Sequence, residues 1–121
     1  MQCKIEYTGL YVTDLAKTVD FFKEAFGLEV LREKSGSDRE IAFMGNDGSP
    51  HRVEIIQMHE GPESYDVGDR SMRLAFRVED FDAAHELHEK MGVIYEELPE
   101  YGVYFIASPD GYLCEVMPTR K

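Results

Sequence analysis

Hydrophobic and polar positions alternate through residues 4–13, a two-residue period that predicts a strand. The period then changes. Leu15, Val19, Phe22 and Phe26 recur at helical spacing, with Asp14 at the N-cap position and Gly27 at the C-cap position. Residues 28–34, 39–45 and 51–58 return to strand patterns, and Gly45-Asn46-Asp47-Gly48 supplies the turn between the last two. Residues 59–70, with Gly61-Pro62 and Gly68, read as a polar linker. The order then recurs: a strand at 71–78, a helix at about 81–91 stopped by Gly92, and strands near 93–98, 102–107 and 112–117.

The recurrence extends to residues. Tyr7-Thr-Gly-Leu-Tyr-Val-Thr-Asp14-Leu15 matches Arg73-Leu-Ala-Phe-Arg-Val-Glu-Asp80-Phe81. Phe26-Gly27-Leu28 matches Met91-Gly92-Val93, and Ile41-Ala-Phe43 with Asp47-Gly48 and Glu54 matches Val103-Tyr-Phe105 with Asp110-Gly111 and Glu115. The offset falls from 66 at Tyr7/Arg73 to 65 at Gly27/Gly92 and 61 at Glu54/Glu115, a drift that short loop gaps explain. Two copies are too few for a solenoid. They predict an α+β fold of two tandem βαβββ modules, about 4–58 and 71–118, in a single domain spanning 1–121. A cupped mixed sheet would carry its helices on the outer face.

Strand alternation assigns the faces. Leu10, Val12, Val53 and Ile55 face the helix in the first module; Leu74, Phe76, Val78, Cys114 and Val116 do so in the second. The helices are expected to pack through Leu15, Val19, Phe22 and Phe26, and through Phe81, Ala84, Leu87 and Met91. Tyr7, Glu54, Arg73 and Glu115 fall on the opposite faces, and a concave interior would gather them. Tyr11, Arg52, Arg77 and Met117 share those faces and are candidate substrate-binding residues, the two arginines suiting an acidic substrate arm.

Bulk composition narrows the classes. The net charge of −11 argues against nucleic acid and anionic membrane surfaces as partners. No apolar run approaches the ~20 residues of a membrane-spanning helix, and the N-terminus has no signal-like apolar core. Cys3 and Cys114 lack a paired spacing and read as free thiols of a reducing, cytoplasmic setting.

The motifs Tyr7-Thr-Gly-Leu-Tyr-Val-Thr-Asp-Leu15, Phe21-Phe22 with Phe26-Gly-Leu28, His51-Arg-Val-Glu54, Arg73-Leu-Ala-Phe-Arg-Val78 and Ser108-Pro-Asp-Gly-Tyr-Leu-Cys-Glu115 resemble the vicinal-oxygen-chelate superfamily, the glyoxalase, bleomycin-resistance and extradiol-dioxygenase group. The resemblance covers nearly the whole chain. It implies a site inside the cup, a small-molecule ligand, a homodimer that in some members completes the site, and a divalent metal. Carried over, the family's four ligand positions fall on Tyr7, Glu54, Arg73 and Glu115. Both glutamates are kept and both first-strand ligands are changed. A tyrosine ligates only as a costly phenolate, and an arginine has no lone pair to offer. No cofactor is therefore expected; Glu54 and Glu115 are the ligands if any metal binds, and Arg73 reads as a fixed cation in the metal's place.

The resemblance implies two functions. One is a glyoxalase-like lyase or isomerase, similar to lactoylglutathione lyase with an altered metal site, in which Glu54, Glu115, Arg73 and Tyr7 are the catalytic candidates. The other is a small-molecule or antibiotic-binding protein that breaks no bond. An extradiol oxygenase needs a two-histidine-one-carboxylate iron site, and no histidine stands at a ligand position. His85 and His88 have a helical metal-pair spacing, but at an offset of 65 they align with Asp20 and Lys23 and read as a solvated face.

Overall fold

The computed structural model describes residues 1–120. Contacts divide the chain into two compact units, Met1–Tyr65 and a second from Asp66 onward. The first unit runs β1 (Tyr7–Tyr11), α1 (Leu15–Phe26), β2 (Glu29–Ser35), β3 (Arg39–Asn46) and β4 (Ser49–Met58). The second runs β5 (Arg73–Val78), α2 (Phe81–Met91), β6 (Ile94–Leu98), a 3₁₀ turn (Pro99–Tyr101), β7 (Val103–Ala107) and β8 (Leu113–Pro118). Each unit is a βαβββ module with one four-stranded mixed sheet, in the orders β1-β4-β3-β2 and β5-β8-β7-β6.

The helix ends are where local chemistry puts them. The Asp14 carboxylate accepts the Lys17 N–H at 3.0 Å, and Asp80 accepts that of Ala83 at 3.0 Å, each satisfying one orphan donor of a first turn. Gly27 and Gly92 close the helices at φ 66° and 70°, a conformation a Cβ would strain. In the hairpin between β3 and β4 the Asn46 side chain accepts the Gly48 N–H at 2.9 Å.

In both sheets the first strand pairs in parallel with the last. The register sets Gly9 beside Glu54 and Ala75 beside Glu115. Burial follows the predicted alternation. Leu10, Val12, Val53 and Ile55 are buried, as are Cys114 and Val116; Leu74, Phe76 and Val78 are half-buried while Arg73, Ala75 and Arg77 are exposed. Helix α1 seals its sheet with Thr18, Val19, Phe21, Phe22 and Ala25 buried, and with Leu15 and Phe26 half-buried. On α2 the expected Phe81, Ala84, Leu87 and Met91 are each half-buried.

Helix α2 also corrects one expectation. His88 is not on a solvated face: it is fully buried, and its Nδ1 lies 2.8 Å from the hydroxyl of buried Tyr104. His85 packs edge-on against the same ring and pairs with Glu97. The error is one of phase. The N-caps Asp14 and Asp80 fix the offset at 66 through the helix start, and α2 is one residue shorter than α1, 11 against 12. At offset 66 His88 aligns with buried Phe22, whereas offset 65 turns the alignment by about 100°.

The linker ends at Arg70, which has φ 60°. Its guanidinium lies over Tyr95, 5.1 Å from the ring centroid, and donates to the Tyr95 hydroxyl at 3.0 Å. A Cβ at Gly111 would stand 3.2 Å from Arg70 Nη2, so the Asp110-Gly111 turn leaves room for the guanidinium as well as supplying its own φ of 92°.

Burial pushes the Cys114 thiol up from 9.0 to about 12, while Cys3 is exposed. A thiol reagent at pH 8 is therefore expected to titrate one cysteine in the native protein and both in denaturant. Two reactive thiols in the native protein would contradict the buried setting of β8. The linkage has a definite sign. Between pH 9 and about 12 the unfolded chain has lost the Cys114 proton and the native one has kept it, so this contribution to stability is complete below pH 9 and lost as pH rises through that window.

Candidate functional site

Each sheet has one face away from its helix, and the strand register lays a row of side chains across it. In the first unit Arg32 pairs with Phe43, Phe43 with Glu54, and Glu54 with Gly9. In the second the corresponding row is Glu96, Phe105, Glu115 and Ala75. Both rows keep a phenylalanine beside a glutamate. They differ at both ends.

The two glutamates consequently have different surroundings. Glu115 accepts from Arg73 Nε at 2.8 Å, and the Arg73 guanidinium lies 5.7 Å from the Phe105 ring centroid. The Glu115 side chain is 15% exposed and that of Arg73 49%, so the pair is anchored at the carboxylate and open at the cation. The Nη groups of Arg73 have no hydrogen-bond acceptor among the described residues. Glu54 is half-buried and has neither a hydrogen-bond nor an ionic partner among the described residues. Its Oε1 lies 2.8 Å from where a Cβ on Gly9 would stand, so the carboxylate rests over the bare backbone of β1. The residue that corresponds to Arg73 is Tyr7, which is 47% exposed and packs edge-on against Phe43 at 5.4 Å.

The outer candidates are placed less simply. Arg52 turns back into its hairpin, donating from Nη1 to the carbonyls of Ser49 at 2.7 Å and of Asn46 and His51 at 3.4 Å. Gly45 makes that fold-back possible, since a Cβ there would stand 2.7 Å from Arg52 Nη1. Arg77 donates to the Pro118 carbonyl at 2.9 Å. Tyr11 lies 6.0 Å from the Tyr65 ring. Met117 is half-buried beside Arg77 in the β5–β8 register. Sequence reasoning missed Gly9, Phe43 and Arg32. The conserved pairing of Phe43 with Phe105 inside the repeat was the available signal for one of them. Arg32 was hidden by a register shift in β2 between Val30 and Arg32 that breaks simple alternation.

An open pocket of about 200 Å³ sits on this face of the first unit, lined by Glu6, Tyr7, Leu31, Arg32, Phe43 and Arg52. Arg32 stacks over the Phe43 ring at 4.4 Å.

A sequence model of the Glyoxalase/Bleomycin resistance protein/Dioxygenase superfamily matches residues 4–116, and the chain belongs to that superfamily. It is 30% identical over 127 residues to a probable lactoylglutathione lyase of Vibrio parahaemolyticus, with 98% of this chain and 92% of that one covered. It is 30% identical over the same length to a lactoylglutathione lyase of Neisseria meningitidis serogroup A, again covering 98% and 92%. Among solved structures, the trypanothione-dependent glyoxalase I of Leishmania major aligns with a TM-score of 0.85 at 25% identity, covering 97% of this chain and 87% of that one.

The divalent metal that the family resemblance implies does not fit these residues. The cation of Arg73 already occupies a carboxylate oxygen of Glu115. The pair carries no net charge with which to attract a dication. With a dielectric of ~20, a dication ~4 Å from a guanidinium is opposed by roughly 8 kcal/mol of Coulomb repulsion. Tyr7 and Arg73 add no neutral nitrogen donor. Among the described residues no group of three or more His, Cys, Asp or Glu side chains is placed to hold a metal ion.

Two outcomes follow from this geometry. Replacing both Tyr7 and Arg73 by histidine is expected to raise affinity for nickel or zinc by at least tenfold over wild type in calorimetric titration. Equal affinity would show that the glutamates suffice. Gly9→Ala is expected to leave the melting temperature within a few degrees, because the crowded neighbour is the mobile end of Glu54 and alanine suits a strand better than glycine. The carboxyl carbon signal of Glu54 should move in that variant, and an unchanged signal would mean that Gly9 does not set the carboxylate's position.

Proposed function

We propose that this chain is a lyase or isomerase of the glyoxalase family that moves a proton on the carbon next to a carbonyl, with Glu54 as the base and Arg73 as the electrostatic partner. One observation carries the reading: of the two glutamates, Glu54 alone has an uncommitted carboxylate, whereas Glu115 is bound to Arg73. A general base must keep a lone pair available to the proton it removes. In the proposed step Glu54 accepts the α-proton, and the released electron pair moves onto the carbonyl oxygen. The developing oxyanion is met by the unpaired Nη donors of Arg73, held in place by Glu115, and by the hydroxyl of Tyr7. On a substrate whose α-carbon bears a hydroxyl, protonated Glu54 then delivers the proton to the former carbonyl carbon while the hydroxyl proton passes to the oxyanion, so carbonyl and hydroxyl exchange places and no atom is gained or lost. The reading takes both sheet faces as serving one ligand, in one chain or across a dimer. It also takes the protein as a single working domain in the cytoplasm. No helix among the described residues is long and apolar enough to cross a membrane.

The relatives named as lactoylglutathione lyases suggest S-lactoyl thioesters as the first compounds to test. Wild-type protein is expected to exchange the α-proton of such a thioester for solvent deuterium at a rate unaffected by EDTA. Glu54→Gln should lower that rate by ~10²- to 10⁴-fold, the usual range for a positioned base, with thioester affinity little changed. Exchange that EDTA abolishes and added nickel or zinc restores would sink the arginine-for-metal reading. Saturable binding with no exchange would favour the second reading, a binding protein of the antibiotic-resistance kind.

A further inference from the structure

The pocket beside Tyr7 holds a cation, Arg32, that no acidic group among the described residues uses. We propose that Arg32 anchors the carboxylate of an organic-acid ligand there, with the ligand's apolar body lying against Phe43 and Tyr7. The proposal rests on the reading that this face of β1–β4 is the ligand face, and it adds a substrate class to it.

Four observations converge. First, Arg32 has no ionic or hydrogen-bond partner among the described residues, in a chain where 24 acidic side chains outnumber 13 basic ones. Acid partners are plentiful on such a surface, and other cations take them, as Arg39 does with Asp38 and Lys90 with Glu86. Second, Arg32 is not a loose surface arginine. Its guanidinium carbon lies over the Phe43 ring, 4.4 Å from the centroid, a cation–π contact that holds the group against the pocket wall while none of its N–H donors has an acceptor among the described residues. A planar fork of donors suits a carboxylate bidentately. Third, the pocket lining is cationic overall. Arg32 and Arg52 face it against one acid, Glu6, which already pairs with Lys4 at 3.2 Å. The hairpin bonds of Arg52 all run from Nη1, so its other nitrogens can still share an anion. Fourth, the remaining walls are Leu31, the Phe43 ring and the Tyr7 ring, apolar surface for the ligand's body.

The register also limits the ligand's length. Arg32 and Glu54 stand on β2 and β4 with Phe43 of β3 between them, so two strand spacings, about 9.6 Å, separate their backbones. A ligand using both would carry its carboxylate several bonds from the carbon whose proton Glu54 removes. The second unit offers no equivalent anchor, because its row has Glu96 where this one has Arg32.

The test uses two inert probes that differ only in charge at one end, phenylacetate and phenylacetamide, titrated calorimetrically against the full chain at low salt. Wild type is expected to bind phenylacetate at least tenfold more tightly than the amide. Arg32→Gln should bring phenylacetate down to the amide's level while leaving the amide unchanged. Arg32→Lys, which keeps the charge and loses the fork, should retain part of the preference. Lys17→Gln, on α1, should retain all of it and controls for net charge. Thermal unfolding of each variant checks the fold, which an exposed side chain on an edge strand should not disturb. Equal affinity for the two probes, no measurable phenylacetate binding at millimolar concentration, or a full preference surviving in Arg32→Gln each overturns the proposal. Neither probe is turned over, so these outcomes are independent of proton transfer by Glu54. Loss of the base reading would leave the probe preference intact, and loss of the preference would leave deuterium exchange intact.

Discussion

The parallel pairing of the first strand with the last is the constraint on which each module depends. A parallel pair cannot be closed by a tight turn, so the chain must leave β1, cross as α1 and return through a meander before β4 can lie beside β1. The crossover covers one face of the sheet and leaves the other uncovered by the helix. The same pairing fixes which residue of the first strand neighbours the glutamate of the last. A slip of one residue would exchange faces and put Glu54 and Glu115 into the apolar layer in place of Val53, Ile55, Cys114 and Val116. Burying an unpaired carboxylate costs several kcal/mol, so the apolar core and the position of the acids enforce one another.

Within that frame the first strand decides what its glutamate does. In the first module it offers a bare backbone at Gly9 and a phenol at Tyr7, and Glu54 settles over the backbone uncommitted. In the second it offers a methyl group at Ala75 and a cation at Arg73, and Glu115 is held by the guanidinium. That ion pair is half-exposed at its cationic end, which limits its contribution to stability to about 1 kcal/mol. Its importance is positional: it holds a permanent charge that cannot dissociate from the protein, as a metal can.

What could be read from the sequence was what local chemistry fixes. The helix caps at Asp14, Gly27, Asp80 and Gly92 and the alternation of the first and last strands depend on neighbours within a few residues, and all are found where the pattern placed them. His88 was misread because one residue of difference in helix length rotates an aligned position by about 100°. Arg52 and Arg77 share the predicted faces, yet their guanidinium groups are drawn to backbone carbonyls at a hairpin and a strand end. Alternation gives the direction of a Cβ and says nothing about where four further bonds lead. Arg32 was obscured by a bulge, a feature that leaves no local mark unless a glycine or a partner strand betrays it.

Two equal half-sites would suit a ligand that both halves hold alike, such as a metal ion. The rows seen here are unequal: arginine, phenylalanine, glutamate and glycine in one, glutamate, phenylalanine, glutamate and alanine in the other. Proton transfer next to a carbonyl needs the opposite of symmetry, one carboxylate free to take a proton and one fixed positive charge to meet the oxyanion. The proposed reaction assigns those two duties to different modules, the base to the one that carries Tyr7 and the positive charge to the one that carries Arg73. The phenylalanine beside each glutamate gives both arrangements the same support, an apolar ring 4.4 Å from the Arg32 guanidinium in one module and 5.7 Å from that of Arg73 in the other.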